Sequence, residues 1–193
     1  TLTEKGKEIL LENDYASFGD KLDCPDRYKF ARMVTKFFHD DEKYDSDARN
    51  APMVLSRELG KMESHNKHLP CIRKVREIIR SEGDRILFYM ACNYCPGGIS
   101  LINELKCLFS VRDRVKYLNM FKEEKHKLQE LDLVEMTSIS SLFGSETGLV
   151  LTDKGKELFF EEDAKLFIQK VDKKDLVNCE DIKPKQLFFS ENE

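Results

Sequence analysis

Residues 133–160 read LVEMTSISSLFGSETGLVLTDKGKELFF. Two β-prone runs, Leu133 to Thr137 and Leu149 to Thr152, flank a Ser- and Gly-rich stretch from Ser138 to Gly148. Apolar and β-branched residues fit a pleated strand, while Ser and Gly accommodate turns, so the stretch predicts a long-looped β-hairpin. Thr152 then precedes Asp-Lys-Gly and an apolar run, which predicts a helix with Thr152 as its N-cap.

Upstream of the hairpin the punctuation is regular. Ser81 and Asp84 form an S-x-x-D capping pattern before an apolar face of Ile86, Leu87, Met90, Ala91 and Tyr94. Pro96, Gly97 and Gly98 end that helix, because proline lacks the N–H and glycine gives up helical order readily. Ser100 is placed to cap a second helix carrying Ile102, Leu105 and Leu108. Ser110 with Asp113 repeats the capping pattern before a third helix, expected to run toward Leu131.

The first half reads as helices joined by polar turns. Phe30, Val34, Phe37 and Phe38 recur at helical spacing after Asp23 and Pro25, giving an amphipathic helix with an aromatic face. The acidic stretch HDDEKYDSDARN at 39–50 then reads as an exposed linker. Pro52 suits a first helical turn, with Leu55, Leu59 and Met62 on one face; SHNKHLP at 64–70 breaks that helix, and Ile72, Val75 and Ile79 mark another.

Composition bounds the function classes. The chain has 193 residues, 40% hydrophobic and 35% charged, with a formal charge of −4. That balance is globular and helix-friendly, and it provides no overall electrostatic case for nucleic acid. No apolar run approaches the roughly 20 residues that span a bilayer, and TLTEKGKEILLE lacks the pattern of a signal peptide. A cytoplasmic location without membrane contact is expected. Six scattered cysteines (Cys24, Cys71, Cys92, Cys95, Cys107, Cys179) read as free thiols rather than a disulfide framework.

Three close-set helices followed by a hairpin and a further helix resemble a winged helix-turn-helix domain, placed at residues 81–168. The expected fold class is mainly α with a small β-hairpin wing, preceded by a helical subdomain at 1–80 and followed by a linker at 169–193. The resemblance implies binding rather than catalysis. Its third helix offers Arg112, Arg114, Lys116, Lys122, Lys125 and Lys127 as candidate nucleic-acid contacts, interrupted by Asp113, Glu123, Glu124 and Glu130. Its wing loop has no Lys or Arg and carries Leu142 and Phe143 near the tip, which suits a protein groove better than a phosphate backbone.

A repeat adds a further expectation. LTEKGKEILLENDYASF at 2–18 aligns without gaps on LTDKGKELFFEEDAKLF at 151–167. Residues 1–18 therefore read either as the tail of an upstream winged helix, or as a second use of one strand-to-helix turn.

The tail EEDAKLFIQKVDKKDLVNCEDIKPKQLFFSENE at 161–193 resembles the segment that, in a group of bacterial AAA+ ATPases, joins an N-terminal winged-helix region to the nucleotide-binding module; Leu187, Phe188 and Phe189 with the acidic SENE carry the likeness. The resemblance implies an N-terminal recognition region whose partner is a protein or its own AAA+ module. ATP and magnesium, and oligomerisation, would belong to that module. No G-x-x-x-x-G-K-[ST] occurs in these residues, so neither a cofactor nor catalysis is expected within them. The alternative is a self-contained winged-helix DNA-binding regulator.

Other chemistry is thinly supported. Cys92 and Cys95 have C-x-x-C spacing, with Cys107 or His126 as further ligands, but a structural zinc site takes four ligands and no second C-x-x-C follows. Thiols packed at the end of an apolar helix are the expected reading, and His65 and His68 are expected on an exposed turn. No G-x-S-x-G frames a nucleophilic serine.

Overall fold

The computed structural model describes residues 22–39, 52–141 and 144–168. They are mainly helical, with one small three-stranded antiparallel sheet. In chain order the elements are α1 (Arg27–His39), α2 (Pro52–His65), α3 (Pro70–Ile78), α4 (Glu82–Tyr94), β1 (Ile99–Ser100), α5 (Leu101–Leu108), α6 (Val111–Lys122), α7 (Lys127–Glu130), β2 (Val134–Ser141), β3 (Gly144–Leu151) and α8 (Asp153–Phe160), then a 3₁₀ turn at Glu161–Leu166.

Helix α4 is the axis. Its residues from Gly83 to Cys92 are all buried, because Ile86, Leu87, Phe88, Tyr89, Met90 and Ala91 leave it apolar all round rather than on one stripe. Phe30 of α1 meets Tyr89 edge-on, with ring centroids 5.0 Å apart. Phe159 of α8 packs against Phe88 at 6.3 Å. Leu55, Leu59 and Met62 of α2, Ile72 and Val75 of α3 and Ile79 just past its end close the same core, as their spacing predicts, and Cys71 joins them. Tyr94, expected on the apolar face, lies beyond the buried stretch and is exposed. No helix of the described residues is long and apolar enough to cross a membrane.

Ion pairs and hydrogen bonds tie the N-terminal helices to the rest. Buried Glu63 at the end of α2 receives Arg85 Nε at 2.8 Å and the Tyr89 hydroxyl at 3.1 Å. Arg85 also donates to the carbonyls of Ile79 and Arg80, which end α3. Arg27 donates to the Phe159 and Phe160 carbonyls at the end of α8 and pairs with Glu161 at 3.0 Å.

The sheet has the order β1-β3-β2. Strands β2 and β3 pair continuously from Val134↔Leu151 to Ser141↔Gly144, so the long loop expected over 138–148 is a correction: most of it is strand. Thr137 and Ser138 are exposed and Ile139 is half-buried, and Gly148 lets the ladder close, since a β-carbon there would sit 2.5 Å from Ile139 Cγ2. The connecting pair, Leu142 and Phe143, lies outside the described residues.

Two further corrections concern helix ends. The third helix stops at Lys122 instead of continuing toward Leu131. Glu124 adopts φ 56°, and Lys125 N–H bonds back to the Met120 carbonyl at 2.9 Å, a left-handed stop built without glycine. Ser100 precedes α5 but makes no capping bond; its hydroxyl donates instead to Glu146 Oε2 at 2.7 Å, joining β1 to the hairpin. Ser81 and Ser110 do cap, accepting from the N–H groups of Asp84 and Asp113.

Thr152 caps α8 through the Gly155 N–H and donates to the Asp132 carbonyl, while Lys154 donates to the Leu131 carbonyl. Its counterpart motif at 2–18, and the tail 169–193, lie outside the described residues.

Candidate functional site

Helix α6 has one face fixed inward and one presented outward. The Tyr117 ring stacks on Phe109 at 4.2 Å, and its hydroxyl donates to Asp84 Oδ1 at 3.2 Å. Burial, then the Asp84 charge, raises the Tyr117 phenol well above its ordinary range, so it stays a neutral donor. Phe121 is buried and stacks on His126 at 3.8 Å. His126 in turn faces Asp84 through Nε2 at 3.5 Å and accepts the Leu128 N–H through Nδ1, which caps α7.

With Tyr117 and Phe121 turned in, helical spacing turns Val111 and Val115 out; they are 69% and 54% exposed. Lys122 lies on the same stripe, and exposed Arg112, Lys116 and Asn119 form the adjoining one. Arg112, Lys116 and Lys122 make no hydrogen bond or ion pair within the described residues. The face therefore combines two uncovered aliphatic side chains with three free cations over about 18 Å of helix.

The other basic candidates are occupied. Arg114 is half-buried and donates from Nε to the Phe109 carbonyl at 2.7 Å, satisfying the end of α5. Lys125 pairs with Glu123 at 2.8 Å and Lys127 with Glu130 at 3.2 Å, both exposed. The six basic residues thus divide into three that face solvent unpaired and three held by neighbours. Val111 and Val115 were missed by sequence reading; their signal was their place off the stripe of Tyr117 and Phe121.

The hairpin contributes no positive charge. Between Leu131 and Leu151 there is no Lys or Arg, while Asp132, Glu135 and Glu146 are present. An open hollow of about 450 Å³ on the hairpin is lined by Met136, Thr137, Ser138, Ser145, Glu146 and Thr147, hydroxyl-rich with one carboxylate.

The cysteine and histidine candidates are placed separately. Cys92 is buried and Cys95 half-buried at the end of α4, Cys24 and Cys71 are buried thiols and Cys107 is half-buried; Cys179 lies outside the described residues. His65 bonds the Lys61 carbonyl and His68 the Cys24 carbonyl. Among the described residues no group of three or more His, Cys, Asp or Glu is arranged to hold a metal ion.

Set against protein-family models, curated protein sequences and solved structures, the chain matches none of them.

Proposed function

We propose that residues 82–160 form a winged helix-turn-helix module that binds a protein partner through the outward face of α6. The order α4-β1-α5-α6-β2-β3 and the sheet order β1-β3-β2 support the winged-helix reading. The observation that carries the protein partner is the pair Val111 and Val115, one helical turn apart and uncovered. Aliphatic side chains uncovered on the first turns of a solvent-facing helix gain most from an apolar counterpart.

Through the resemblance of the tail, the module serves as the N-terminal recognition region of an AAA+ ATPase, selecting a partner for the motor. ATP and magnesium would act on that motor, and these residues carry out recognition without catalysis. A photoreactive residue at position 115 tests the partner's class. A protein adduct that survives nuclease treatment is expected, and a nucleic-acid adduct would overturn the reading.

One observation favours a second reading, DNA binding. Arg112, Lys116 and Lys122 are unpaired on the helix that enters the major groove in winged-helix DNA readers. Against it stands the hairpin, which carries no Lys or Arg, since phosphate neutralisation supplies much of DNA affinity.

A further inference from the structure

We infer that the partner segment recognised by α6 is acidic, with an apolar centre. The inference rests on the protein-binding reading and names the chemistry of its ligand. Val111 and Val115 stand four residues apart, so they offer one apolar contact about a turn long. Arg112 and Lys116 flank that contact along one side, and Lys122 lies beyond it on the valine stripe. A segment covering the valines with aliphatic side chains brings its neighbouring positions against these cations. Carboxylates at those positions satisfy charges that have no partner within the described residues; neutral or basic groups leave them unpaired or repelled.

The acidic groups nearby do not cancel this pattern. Asp113 Oδ2 accepts from the Ser110 hydroxyl at 2.8 Å, and Glu123 is engaged by Lys125. Glu123 is thereby neutralised and Asp113 keeps its charge on the side of α6 opposite the valines, about 200° around the helix from each, whereas the three cations remain open to a ligand.

The same arrangement discriminates against duplex nucleic acid. A helix seated in a major groove about 12 Å wide has phosphates on both sides, which must be met by cations beyond the helix itself. The hairpin, the wing of such a module, carries Glu135 and Glu146 and no Lys or Arg. A compact acidic segment needs only the helix face, where the cations are.

The test uses the whole chain, isotopically labelled, titrated at physiological salt and followed by amide shifts along α6. Three probes are compared: a short synthetic amphipathic helix with leucines flanked by glutamates, the same peptide with every glutamate changed to glutamine, and a random-sequence DNA duplex. The acidic peptide should shift the amides of 111–122. The glutamine peptide should bind about tenfold more weakly, the combined effect of three exposed ion pairs. The triple variant Arg112→Gln, Lys116→Gln, Lys122→Gln should lose the same factor, and Val111→Ser with Val115→Ser should abolish binding of both peptides. Equal binding of the two peptides overturns the acidic preference while leaving the protein-binding reading intact. A duplex that displaces the acidic peptide overturns both. If no peptide binds, the acidic preference also falls, and the photoreactive probe at position 115 judges the wider reading separately.

Discussion

A β-carbon on Gly155 would lie 2.1 Å from the carbonyl oxygen of Leu133. The first turn of α8 therefore rests directly on the backbone that starts β2, and only a residue without a side chain fits. Gly155→Ala is expected to cost about 2 kcal/mol through displacement of backbone, the range of overpacked positions. Urea unfolding measures it; a loss below a few tenths of a kcal/mol would show that the contact yields freely.

The Glu63–Arg85 pair is the second sensitive point. Glu63→Leu leaves the buried Arg85 guanidinium only the exposed Glu82 at 3.7 Å and should destabilise by about 3 kcal/mol, whereas Glu63→Leu with Arg85→Met should cost far less. Burial, the largest influence, lifts the Glu63 carboxyl above its ordinary 4.5, although Arg85 and Arg76 oppose it. The folded state consequently holds this proton more tightly than the unfolded one. The resulting stability is fully present below about pH 4.5 and is lost as pH rises through the raised value. In Glu63→Gln that component of the pH profile should vanish, and an unchanged difference between the two profiles would refute the assignment.

Thiol reactivity gives an independent check on packing. Burial raises Cys24 and Cys71 from 9.0 to about 11 and pushes Cys92 up well above 9.0. Since the thiolate is the nucleophile, these three should alkylate roughly 100-fold more slowly at pH 8 in the native protein than after unfolding. Site-resolved mass spectrometry reads the rates. Rapid native labelling at Cys92 would mean that the end of α4 opens readily.

Glu124→Gly should stabilise the chain by about 1 kcal/mol, because Glu124 occupies a left-handed conformation that costs a side-chain-bearing residue about that much. A thermal melt that moves downward would indicate that the glutamate makes a compensating contact.

Substitutions on the α6 face separate folding from binding. Val115→Ser and Lys116→Gln should stay within about 0.5 kcal/mol of the parent in stability, as exposed positions do. Arg114→Ala should instead cost about 1 kcal/mol by freeing the Phe109 carbonyl. Denaturation of the three variants decides; a large loss at Val115 would place it in the core.

Much of this architecture was legible in the sequence because side chains announce it. Ser81 and Ser110 cap as their S-x-x-D spacing predicts, and the apolar stripes of α1, α2 and α3 are buried. What stayed hidden depends on backbone conformation or on distant partners. Glu124 ends α6 in a conformation that glutamate rarely adopts, so no glycine or proline marked the stop. The two-residue strand β1 exists only through its pairing with Gly148 and Leu149. Glu63 and Arg85 are separated by a helix and two turns, and nothing local joins them. At the candidate face, lysine and arginine were visible as residue types, but which of them are already bonded depends on geometry. The valines were overlooked for the opposite reason, because an apolar residue in a helix is by default assigned inward.

The grip of Arg27 on the final carbonyls of α8 has a consequence for how such a protein evolves or is shortened. Helix α6 belongs to a body in which α1 and α8 are fastened to each other across α4. Cutting the chain just before Ser81 would strip Phe30 from Tyr89 and leave a wide greasy scar along the axis of the molecule. The outward face of α6 is therefore not a portable cassette; transplanting it means carrying the helices that precede it.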